Sequence, residues 1–249
     1  MKRFLMTAAA AVTLAGYASA NPLCTANTLA FYIANYTSAA TACVVNDKLF
    51  YNFGYSATSG SGTAPSGTVV PPTAAQVTVN GDLSNVNEPA LIFASNGWTV
   101  SGSSSLARPL FIDSNIAFTV AVIGLKPLMI GASLDITGHV STTGQGVASI
   151  GETLILGGGP ASLPLGVDSA RGPFLDSKSF APVSFVRVTK DLIVTVPRPP
   201  IGTPTATGSA TITQFREGFA EINSVPEPVS AVLFGSGLIG LALVRRRRR

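Results

Sequence analysis

The stretch Ile116 to Ile123 reads IAFTVAVI, and its period is two: Ile116, Phe118, Val120 and Val122 point one way, Ala117, Thr119 and Ala121 the other. That alternation marks a strand with one face in an apolar core and a small, polar face outside. Ile130, Ala132, Leu134 and Ile136 repeat the register. In Lys48 to Tyr55, Leu49, Tyr51, Phe53 and Tyr55 share one face and Lys48, Asn52 and Gly54 the other, with Phe50 out of step. This reads as a half-buried strand whose lysine faces away from the core.

Further strand signals occur at Gln76 to Asn80, Leu91 to Ala94, Trp98 to Ser101, Thr153 to Leu156, Ser184 to Val188, Leu192 to Val196 and Thr211 to Phe215, separated by Gly, Pro, Asn and Ser. Ser59 to Pro72, rich in Gly, Ser and Pro, reads as a loop. Many short strands without a long helical pattern predict an all-β chain, an antiparallel β-sandwich of jelly-roll-like type.

One helix is expected ahead of the strands. Leu29, Tyr32, Ile33 and Tyr36 recur at helical spacing, with Thr25 or Asn27 as the cap. Cys24 and Cys43 are the chain's two cysteines. An even count in an exported chain predicts a disulfide, and closing a loop of about 20 residues stabilises the fold by roughly 3 kcal/mol on chain-entropy grounds. A metal pair would need further ligands, which are absent nearby.

Both ends carry targeting features. Met1 to Ala20 has basic Lys2 and Arg3, an apolar run, and Ala18 and Ala20 with Asn21 following, the pattern of a signal peptide cut after Ala20. The last residues, 225–249, read VPEPVSAVLFGSGLIGLALVRRRRR. The uncharged run Val229 to Val244 would span roughly 24 Å as a helix, just enough to sit in a bilayer. Arg245, Arg246, Arg247, Arg248 and Arg249 then form a cytoplasmic stop. The order of Pro226-Glu227-Pro228, apolar segment and arginine end closely resembles the PEP-CTERM sorting signal of Gram-negative bacteria. That resemblance implies transient anchoring in the inner membrane, cleavage by a membrane protease of the exosortase type, and release to the cell surface or exopolysaccharide matrix.

The body also resembles a group of exported PEP-CTERM proteins. The resemblance rests on Cys24, Thr28-Leu29-Ala30-Phe31-Tyr32, Cys43, Asp47-Lys48-Leu49-Phe50 and Val188-Thr189-Lys190-Asp191. It implies architecture and export, and no chemistry. Three parts follow: a signal peptide over 1–20, a β-sandwich over 21–224 and a sorting signal over 225–249.

The formal charge of +4 belongs to the ends. Once both are removed, nine basic and eleven acidic residues remain, the basic ones scattered singly, so no nucleic-acid partner is expected. Candidate chemistry is sparse. The single histidine, His139, has no second His or nearby Cys, which disfavours zinc and Ser-His-Asp catalysis. No metal and no cofactor are expected.

Asp113, Asp135, Glu152, Asp168 and Asp176 could supply a carboxylate pair for glycoside hydrolysis, though nothing in the sequence selects two of them. Trp98 follows Asn96-Gly97 and could stack on a sugar, or, alternating with Thr99 and Val100, fill the core. Thr-, Ser- and Gly-rich strand faces suit multivalent carbohydrate contact. The expected role is therefore a non-enzymatic structural or adhesive protein of an exopolysaccharide or biofilm. The alternative is a glycoside hydrolase.

Overall fold

The computed structural model describes residues 21–62, 69–124, 128–138, 140–160, 162–169 and 174–221. The expected signal peptide, the sorting signal with its apolar segment 229–244, and His139 lie outside the described residues. Among the described residues no helix is long and apolar enough to cross a membrane.

The chain is built almost wholly from antiparallel strands. In order they are β1 Asn27–Thr28, the helix α1 Leu29–Asn35, β2 Cys43–Val45, β3 Lys48–Ser61, β4 Thr78–Asp82, β5 Ala90–Ala94, β6 Thr99–Ser104, β7 Leu110–Val122 and β8 Met129–Asp135. There follow β9 Val140–Gly144, β10 Val147–Leu156, β11 Ser162–Asp168, β12 Leu175–Val183, β13 Phe185–Val196, β14 Ala206–Ile212 and β15 Gln214–Glu221. Sheet A runs β11-β10-β13-β7-β3-β2, sheet B β1-β4-β5-β15-β8-β12, and a small sheet C β6-β14-β9. Two strand signals in the sequence, Ser184 to Val188 and Leu192 to Val196, are halves of the one long strand β13.

Sheets A and B meet through aromatic rings. Phe118 of β7 stacks on Phe93 of β5 at 5.8 Å, and Phe50 of β3 lies 6.0 Å from Phe219 of β15. These rings sit in one buried cluster together with Ile112, Ile116, Val120 and Leu134. Burial of such side chains contributes roughly 1.5–3 kcal/mol each, which is what holds two sheets face to face. The alternation in Ile116 to Val120 is thus the inner face of the central strand of sheet A.

The face assignment in β3 differs from the expectation. Lys48 and Phe50 point inward and are fully buried, while Leu49 and Tyr51 are half-buried on the outside. The reason is a bulge: Tyr51 pairs with Thr119 but Gly54 with Ala117, so two residues of β3 oppose one of β7. Asn52 takes φ 58° there, a left-handed conformation that asparagine tolerates, and its N–H donates to Tyr36 O at 2.6 Å. Beyond the bulge the phase flips, and Phe53 turns inward. In β8 an irregularity near Met129 has the same effect: Met129 is buried and Ile130 only partly so.

The helix forms where expected, but Thr28 caps it. Its Oγ1 accepts from Phe31 N at 3.2 Å, whereas Asn27 Oδ1 is engaged with Thr28 N and Thr25 O accepts from Tyr32 OH. Cys24 and Cys43 form a disulfide, tying the segment before α1 to β2.

Candidate functional surface and buried charges

The outer face of sheet A is assembled by strand register. The row Tyr51, Thr119, Arg187 crosses β3, β7 and β13, and the neighbouring row is Leu49, Ala121, Phe185. Because the central strand supplies only small side chains here, Tyr51 stands on one side and Arg187 and Phe185 on the other of a shallow recess. Two strand spacings, about 10 Å, separate those walls. The recess measures about 500 Å³ and is lined also by exposed Asn52. The bulge aims Asn52 into it. An aromatic face, a guanidinium, an amide and the Thr119 hydroxyl can together hold a polar ring-shaped ligand by stacking and hydrogen bonds.

Farther along the same face lie acids. Asp113 of β7 and Asp191 of β13 flank one another diagonally, and Asp168 of β11 lies in the row of Asp113 across Ser149 and Ile193. Burial, then the hydrogen bond and charge of Asp113, raise the Asp191 carboxyl above its ordinary value. Asp168 and Asp191 border a second recess of about 290 Å³.

Sheet C presents a different polar face. Ser103 meets Thr207 at 2.8 Å and Thr143 meets Ser209 at 2.7 Å, forming a small lattice of hydroxyls.

The remaining candidate acids are dispersed. Asp135 pairs in register with Arg216 on the outside of sheet B, where Arg216 also binds Asp82 at 2.7 Å. Asp176 accepts from Gly166 N at 2.9 Å. Glu152, one of the candidate carboxylates for hydrolysis, is buried between the sheets, where a substrate has no access. Trp98 fills the core, the second of the two roles its sequence context allowed. It is fully buried, its ring 5.8 Å from Phe215 and its Nε1 donating to Ser114 Oγ at 3.2 Å. It therefore offers no face for a sugar. Among the described residues no three His, Cys, Asp or Glu side chains are grouped to hold a metal ion.

Sequence reasoning missed the interior charges. Strand β15 sends Phe215, Glu217, Phe219 and Glu221 inward in alternation. Lys190 of β13 contacts Glu152 Oε2 and lies 2.6 Å from Glu217 Oε2, and all three side chains are fully shielded from solvent. Lys190 Nζ also sits 5.6 Å from the centre of the Phe215 ring. The Oε1 atoms of Glu152 and Glu217 have no hydrogen-bond partner. Burial and the neighbouring Glu152 push the Glu217 carboxyl well above the carboxylate range, only partly offset by Lys190. A second group lies nearer the rim: Lys48 Nζ binds Asp47 Oδ1 at 2.6 Å and Glu221 Oε1 at 2.7 Å. The signal for Glu152, Lys190 and Glu217 was a charged residue at an inward position of an apolar period-two face.

Comparison with known proteins finds no family model that matches the chain and no curated protein that matches it significantly.

Proposed function

We propose that the chain is an exported structural or adhesive protein of the cell surface or extracellular matrix that binds polysaccharide. On this reading the signal peptide directs export from a Gram-negative cell, the segment 225–249 anchors the precursor transiently in the inner membrane, and an exosortase releases it near Pro226-Glu227-Pro228. The crossings between sheets at β3–β4, β7–β8 and β12–β13 fit a sandwich of jelly-roll-like type.

The observation that carries the reading is the recess on sheet A, where small Thr119 and Ala121 form a floor between Tyr51 and the Arg187–Phe185 wall. Tyr51 supplies a stacking face and Arg187 a fork for hydroxyls or uronic carboxylates. The hydroxyl lattice of sheet C adds weak contacts that multivalent binding can sum.

The test is binding of the purified protein to the native host's cell-free exopolysaccharide and to a glycan array. Tyr51→Ala and Arg187→Ala are each expected to weaken binding about tenfold, the loss of one charged hydrogen bond or one stacked ring. Unchanged binding by both variants would contradict the proposal. Release of sugar, abolished by Asp191→Asn, would instead favour the glycoside hydrolase.

A further inference from the structure

We propose that Lys190 and Glu152 condense after folding into an intramolecular amide, with Glu217 as the acid that handles the protons. The two residues are direct register partners on β13 and β10, both facing inward, and Lys190 Nζ is in contact with Glu152 Oε2. Glu217 reaches the same nitrogen from the opposite sheet. Nucleophile, electrophile and acid thus converge from three strands in a space without solvent exposure.

Three physical features favour condensation there. First, the side chains are held by rigid strands, and well-oriented intramolecular reactions reach effective molarities of roughly 10⁵–10⁸ M. Second, a buried ion pair is costly to keep dry, and amide formation removes both charges. Third, the cluster has two carboxylate oxygens without a donor, and condensation expels one Glu152 oxygen as water.

The step balances without a cofactor. Lys190 passes a proton to Glu152, giving a neutral amine beside a carboxylic acid. Nζ attacks Cδ of Glu152 and the C–N bond forms. Glu217 gives its proton to the departing hydroxyl, the C–O bond breaks, and Glu217 recovers a proton from the nitrogen. One water is released, and nothing is oxidised or reduced.

The Lys48 group serves as the internal control. Its carboxylates Asp47 and Glu221 keep 9% and 10% of their side-chain surface exposed and have no orphan oxygens, so ions there retain some hydration. No amide is expected at Lys48.

The test is the intact mass of the full-length chain, expressed, folded and oxidised, read against the sequence between its observed termini. The expected deficit is one water beyond the hydrogens lost to the disulfide, with a branched peptide joining the Lys190 and Glu152 segments in tandem spectra. Glu152→Ala should restore the full mass. Glu152→Gln should show the same branched peptide, formed by loss of ammonia in place of water. Glu217→Gln, which keeps the shape of the side chain, should slow formation of the link at least about a hundredfold, the low end of what a positioned acid contributes. The full sequence mass in wild-type protein with its disulfide formed and its unfolding cooperative would overturn the proposal. So would a branch at Glu217 or at Lys48.

Discussion

Two lysine clusters lie along the inward face of β15, four residues apart, and they resolve the same problem differently. Each brings one lysine of sheet A to two carboxylates, Lys48 to Asp47 and Glu221, Lys190 to Glu152 and Glu217. At the rim the carboxylates keep a little solvent contact. At the centre there is none, two oxygens lack partners, and burial raises the Glu217 carboxyl well above its ordinary value. The difference lies in position between the sheets and not in residue type: the rim carboxylates keep some hydration, whereas the central group is wholly dry. It also separates the dry interior of sheet A from its outer face, where Tyr51, Asn52 and Arg187 border an open recess.

The comparison can be broken most directly by removing one lysine at a time. Lys190→Met leaves the Glu152 and Glu217 carboxyl groups buried without their lysine partner and is expected to cost about 3–5 kcal/mol, read from the urea midpoint. Replacing both Cys24 and Cys43 by Ser is expected to cost roughly 3 kcal/mol. Because β2 leads through the Asn46–Asp47 turn to Lys48, that loss should loosen the rim cluster while hydrogen exchange at Lys190 and Glu152 keeps its protection relative to global stability. Lys48→Met should cost less than Lys190→Met, about 1.5–3 kcal/mol, the worth of hydrogen bonds to charged groups. Equal losses at the two lysines would remove the distinction.

A pH series sharpens it further. Glu217 holds a proton in the fold that the unfolded chain releases above its ordinary value of 4.5. The folded state therefore binds the extra proton: this contribution is complete below that value and is lost as pH rises through the folded one. Thermal midpoints should fall over that range, and Glu217→Gln should flatten the slope. Glu221→Gln should change it less, since Glu221, raised by burial and by Asp47, is partly offset by Lys48 and keeps some solvent contact.

Much of the fold was legible because apolar alternation is a local signal. Ile116 to Val120 and the face of α1 follow from spacing, and the Cys24–Cys43 bond from an even cysteine count. Lys48 was misread because a bulge at Asn52 shifts the phase, and a left-handed asparagine leaves no mark on a hydropathy pattern. Glu152, Lys190 and Glu217 were readable in principle. Each stands between apolar residues two positions away, Ile150 and Leu154, Val188 and Leu192, Phe215 and Phe219. That such charges converge is a property of strand order, which puts Glu152 on β10 of one sheet and Glu217 on β15 of the other and joins them in space. The recess on sheet A was half visible, in the small residues Ala117, Thr119 and Ala121, while its walls come from β3 and β13 and needed the register.

The most direct measurement of the central claim is a carboxyl ¹³C NMR titration of Glu217 and Glu221 in the folded full-length protein. The account expects Glu217 to ionise well above the ordinary carboxylate value and at higher pH than Glu221. Ionisation of Glu217 within the ordinary carboxylate range, in step with Glu221, would contradict it.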